Sequence, residues 1–184
     1  SSPRQYCVGC YEIYSERFRL LKECASVNPQ PSAEETALWQ KRLASQANNR
    51  AWALADAPLR TPEEDEEMLQ AAHAAMYFWK IVGNAGNHAH AALLLAHVYA
   101  LLRLPGPAGH YLQKCEAHFL ESGRAPWERA YVHLIAANVA AAQGHADRHR
   151  QRHALACSAI DALADPEDQA ILRKTLQVVP APLG

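Results

Sequence analysis

The chain has 184 residues, which suits one domain with a packed core. Hydrophobic residues make up 49% and charged residues 20%, a balance that excludes disorder as the global state. The formal net charge is -1, so no overall field draws the chain to nucleic acid or to an anionic membrane, and no apolar run is long enough to span a bilayer without a charge or a breaker.

Alanine and leucine dominate, and apolar residues recur at spacings of three and four. That pattern predicts an all-α chain. The first residues, SSPRQYCVGC, lack a methionine and show no basic-then-apolar leader pattern, which points to a trimmed or processed chain. A helix is expected over 5–27, where Cys7, Tyr11, Tyr14, Phe18 and Leu21 form a packing stripe. Cys7-Val8-Gly9-Cys10 is a single CxxC, too little to call a zinc or redox site. The 5 cysteines are an odd count that does not suggest a disulfide framework, so a reducing cytoplasm is the expected compartment.

Ser32-Ala33-Glu34-Glu35 is a capping box and opens a helix over 33–57. Thr61-Pro62-Glu63-Glu64 is a second box, with proline where its missing N–H costs nothing, and opens 62–82. Glycines from Gly83 to Gly86 break the chain before Asn87, which is read as the start of 88–103. Within it, LLLAHVYALLRL is cut by Pro105-Gly106-Pro107 and resumes over 107–122, the mark of a helical hairpin. Helices over 126–143 and 145–163 follow, then 166–178 opened by Asp165-Pro166. All connections are short, so neighbours are antiparallel.

Leu95-Ala96-x-x-Tyr99, followed by Ala108 and Leu112, resembles a tetratricopeptide (TPR) repeat: a small residue in the first helix, an aromatic three later, an alanine early in the second. Ile135-Ala136-Ala137-Asn138-Val139 with Gly144 and Ala156 is a second copy, 41 residues on. Asn48 to Leu54 is a weaker one upstream, with Ala51 lying 45 residues before Ala96. Both offsets exceed the roughly 34 residues usual for this repeat. The last copy places His149 and His153 where the family has alanine and an aromatic.

The resemblance implies one domain over 1–184: a right-handed stack of about three antiparallel helix pairs over 33–163, the N-terminal helix 5–27, and a capping helix at 166–178. It also implies a concave groove lined by the first helix of each pair. With Ala96 as the packing position, the groove residues are His90, Leu93, His97 and Leu101, then Tyr131, Leu134 and Asn138, then Asn48 and Trp52 from the upstream copy. As a groove residue, His97 is expected to tolerate truncation with little loss of stability.

The expected function is a non-enzymatic binding or scaffold module for a peptide, partner protein or small effector, with no cofactor and no nucleic-acid or membrane partner. A homo-oligomer packed through its N-terminal helix is the alternative. A His-rich metalloprotein or enzyme is a distant one: His145, His149 and His153 share a helix face, but Arg148, Arg150 and Arg152 crowd it and disfavour a cation. No GxSxG, P-loop, GxGxxG or HExxH motif occurs.

Overall fold

A computed structural model describes residues 30–121 and 123–182. The chain divides into two compact units, Ser1–Ala37 and Leu38–Gly184. The helix expected over 5–27, and with it the CxxC stretch, lies outside the described residues. In the first unit the described residues carry one device: the Glu35 amide donates to Ser32 Oγ at 3.1 Å, and the Ser32 amide donates to Glu35 Oε2 at 2.8 Å. This reciprocal pair starts the first described helix as the capping box requires.

Seven helices make up the described residues: α1 Ala33–Ala55, α2 Pro62–Val82, α3 Ala85–Leu101, α4 Pro105–Leu120, α5 Pro126–Ala142, α6 Ala146–Asp161 and α7 Pro166–Leu176. No strand occurs among the described residues. The all-α expectation holds, and consecutive helices from α2 to α6 pack on one another in a solenoid-like succession. Short connections make these neighbours antiparallel. The first helices of two pairs, α3 and α5, also pack side by side, and α7 packs on α5 and α6.

Two helix boundaries differ from expectation for local reasons. Asn84, not Asn87, caps α3: each asparagine side chain accepts from the other's backbone amide at 3.0 Å. The reciprocal bond draws Gly86 into the first turn, so α3 starts at 85. Pro105, not Pro107, is the first residue of α4, and both prolines fall in its first turn, where a missing N–H loses no hydrogen bond.

The ends of α3 and α5 close by one motif. The Leu104 amide donates to Tyr99 O at 2.9 Å, and the His145 amide donates to Ala140 O at 3.0 Å. Both are six-to-one bonds that need a left-handed residue just before the donor. Gly144 fills that place with φ 73° at no steric cost, whereas Arg103 adopts φ 58° with a Cβ.

Every residue from Ala91 to Val98 is buried, which explains why α3 shows no polar face in sequence. One side of α3 joins Ala51, Leu54 and Ala55 of α1 with Met68 and Ala72 of α2, through Leu94, Leu95 and Val98. Its other side joins Phe119 of α4, Leu134 and Ile135 of α5, Ile160 of α6 and Leu172 of α7. Ala96, Ala108 and Ala137 are fully buried in this second cluster, as small residues at helix crossings should be.

Candidate functional site

Trp52 of α1, His97 of α3 and Asn138 of α5 lie 45 and 41 residues apart, and His97 joins the other two. The Trp52 and His97 rings stack at 5.6 Å with 26° between planes. Asn138 Nδ2 donates to His97 Nδ1 at 3.0 Å. Trp52 also stacks on Tyr131 at 5.0 Å. Helices α1, α3 and α5 therefore converge closely enough for their inner side chains to interdigitate.

This convergence corrects the expected open groove. Leu93, His97 and Leu134 are fully buried, Asn138 is 2% exposed, and Tyr131 is buried with them. These residues fill a seam instead of lining free space. Trp52, His90, Leu101 and Asn48 are half-buried. His90 Nε2 sits 3.1 Å from Glu128 Oε1, and its ring stacks on Trp127 at 5.5 Å and meets Phe119 edge-on at 4.9 Å. Asn48 donates weakly to Asn49 Oδ1 at 3.4 Å.

The seam's electrostatics follow from burial. Because Nδ1 of His97 accepts from an amide N–H, its proton resides on Nε2, which has no hydrogen-bond partner among the described residues. Burial, with a smaller push from the Arg60 charge, lowers the His97 imidazole to about 3, so the ring is neutral. Burial likewise lowers His90, outweighing the pull of Glu128. At the edge of the seam Thr175 Oγ1 donates to Asp56 Oδ1 at 2.8 Å, and Lys174 Nζ lies 3.7 Å from the other oxygen. Burial still holds the Asp56 carboxyl above its ordinary range, against both partners.

Of the histidine run at α6, His149 and His153 stay neighbours, their rings meeting edge-on at 6.1 Å. His145 is exposed at the helix start, and His149 bonds the Pro180 carbonyl at 2.8 Å. His153 faces Cys157 Sγ at 3.6 Å. Among the described residues no group of three or more His, Cys, Asp or Glu is placed to hold a metal ion. No helix among them is long and apolar enough to cross a membrane.

A cavity of about 490 Å³ lies where α2, α3 and α4 meet. Its apolar lining comes from Met76, Ala85, Ala89, Ala92 and the Tyr111 ring. Lys80, His88, Lys114 and His118 supply its polar groups, and no carboxylate lines it among the described residues. Lys114 Nζ stands 5.3 Å over the Tyr111 ring, and Tyr111 in turn stacks on Tyr99 at 5.7 Å. His88 Nε2 bonds the Trp79 carbonyl at 3.0 Å, so that nitrogen carries a proton. Arg124 donates to His118 Nδ1 at 3.1 Å, which places the His118 proton on Nε2. That Nε2–H is buried and without a partner among the described residues.

The sequence reading did not single out this site. Its signal was present in pairs at helical spacing: Met76 with Lys80, His88 with Ala92, and Lys114 with His118. What joins the pairs is the meeting of three helices, which the spacings do not encode. In comparisons with known proteins, no family model, no curated protein and no solved structure matches the chain.

Proposed function

We propose that this chain is a non-enzymatic, TPR-like binding module whose ligand enters the cavity between α2, α3 and α4. The observation carrying this reading is the cavity itself. Its volume lies within the roughly 300–1,000 Å³ of small-ligand pockets, and it combines an apolar floor with a few polar groups. The seam of Trp52, His97 and Asn138 fits a structural role, holding α1, α3 and α5 together. The repeat-family reading draws support from the three-position match of that seam and from the alanines at the crossings.

A fragment titration followed by NMR shift mapping on the full chain tests this. Hits clustering on Met76, Ala92 and Tyr111 support the site. Hits confined to other surfaces refute it.

Self-association is a second reading, favoured by Leu38, Trp39 and Leu43, which are 49%, 58% and 42% exposed on one side of α1. Sedimentation velocity decides it: a dimer dissociated by Trp39→Glu supports it, and a monomer at all concentrations removes it.

A further inference from the structure

We propose that α6 carries an acid-sensitive clasp: Arg152 bridges His133 of α5 and Glu116 of α4 while the imidazole is neutral, and turns wholly onto Glu116 when the imidazole takes a proton. The fork of the guanidinium makes the bridge. Arg152 Nη1 donates to His133 Nδ1 at 3.1 Å, and Arg152 Nη2 stands 2.7 Å from Glu116 Oε1. One side chain of α6 thereby holds a group on each of two other helices. The Arg152 and Glu116 side chains are only 17% and 20% exposed, so salt screens the clasp weakly.

A guanidinium accepts no hydrogen bond and keeps its proton. The bond to Nδ1 therefore exists only while that nitrogen has its lone pair, which places the neutral ring's proton on Nε2. Protonation puts an N–H where the lone pair was, facing a cation, and the attraction becomes a repulsion. The charges acting on the ring are Arg152 of α6, Arg129 of its own helix and Glu116 of α4. Among the described residues none comes from α3 or α7, which also pack on α5. Burial first, then the two guanidiniums, hold the imidazole below its ordinary 6.5 against the pull of Glu116. The stability contributed by the bond is therefore present above 6.5 and is lost as pH falls through the lower folded value.

The released guanidinium has a place to go. Glu116 Oε1 is buried and, although ion-paired, receives no aligned hydrogen bond. Turning Arg152 toward it supplies that donor and draws the cation away from the new charge on His133. The change leaves α6 fastened to α4 at the expense of α5, beside the cavity of about 320 Å³ that Arg129, His133 and Leu155 help to line.

The test runs on the full chain at about pH 7.5 and about pH 5, on either side of the histidine range. NMR of the His133 ring nitrogens should show Nδ1 bare and Nε2 protonated at the higher pH, with a titration below 6.5. Arg152→Met should raise that titration by about half a unit or more. Double-mutant cycles by urea unfolding, built from His133→Phe, Glu116→Gln and Arg152→Met, then separate the two partners. Coupling of Arg152 to His133 should favour folding about threefold or more at the higher pH and vanish or reverse at the lower one. Coupling of Arg152 to Glu116 should be at least as large at the lower pH. A proton on Nδ1 at the higher pH, or an Arg152–His133 coupling equal at both, overturns the clasp. Loss of both couplings on acidification overturns the exchange of partners. The nitrogen readout needs only the wild-type chain, so it decides the matter even where a variant does not fold.

Discussion

The pH dependence of folding offers a direct test of the seam around His97. Its imidazole is fully buried and held at about 3, against an ordinary value of 6.5. The folded-state value is depressed, so the folded protein binds fewer protons than the unfolded chain through this interval. The stability contributed by the neutral ring is present above 6.5 and is lost as pH falls toward 3. Each unit corresponds to about 1.4 kcal/mol, so the loss is about 2 kcal/mol at pH 5 and approaches about 5 kcal/mol near pH 3. His97→Gln removes the titration while its amide oxygen can still accept from Asn138. Urea unfolding followed by circular dichroism at about pH 7 and pH 5 gives four free energies for wild type and variant. The wild type should lose about 2 kcal/mol more than the variant between the two conditions. Other depressed histidines, His90, His133 and His153, titrate in both proteins and cancel in the difference. Parallel pH curves for the two proteins would refute the neutral, buried assignment. The same burial replaces the earlier expectation of a mild truncation, since His97→Ala opens a cavity and should cost about 2–4 kcal/mol.

Three further outcomes are expected. Ala96→Leu, at a fully buried crossing, should overpack α3 against its neighbours and lower stability by about 1–3 kcal/mol in thermal or urea melts; an unchanged midpoint contradicts the repeat register. Arg103→Gly should raise stability by up to about 1 kcal/mol, because it relieves a left-handed residue at the end of α3 whose equivalent, Gly144, is already glycine; a lower midpoint shows that the Arg103 side chain contributes more than the turn costs. Thr175→Val leaves Asp56 Oδ1 without its donor and should cost about 1–3 kcal/mol near pH 7. Burial already raises the Asp56 carboxyl above 3.8, and losing a bond that favours the carboxylate raises it further, so the defect should shrink as the group protonates on acidification; a defect constant from pH 7 to pH 4 argues against that bond.

The helices were readable because their starts carry local chemistry. Thr61 and Glu64 exchange backbone bonds at 2.8 and 3.3 Å, as spacing alone indicates, and α2 occupies the expected 62–82. Where two candidate caps lie three residues apart, as Asn84 and Asn87 do, either could open the helix, and the reciprocal bond makes them partners instead of alternatives. The offsets of 45 and 41 residues are compatible with the packing, since Trp52 and Asn138 each adjoin His97. What the spacing could not contain is how tightly successive pairs close on one another. An inner stripe lines open space in a gently curved stack and fills a core in a sharply curved one, with the same residues in either case. His97 was therefore placed on the correct face and given the wrong surroundings. The cavity beside Tyr111 was missed for a related reason, since its lysines and histidines lie on three helices whose mutual approach leaves no periodic trace.

The bond from Thr175 to Asp56 joins residues 119 apart in sequence, linking the last described helix to the end of α1 within the second unit. In an open array of repeats each unit meets only its neighbours, and the terminal units melt first. A link between the two extremes removes that order of events. Opening α7 exposes Leu172 and withdraws the donor from Asp56, so damage at α7 is felt at the end of α1 without passing through the helices between. Within the second unit, the helices from the end of α1 to α7 are thereby tied into one closed set instead of a row of separable modules. Removing α7 therefore also loosens the end of α1.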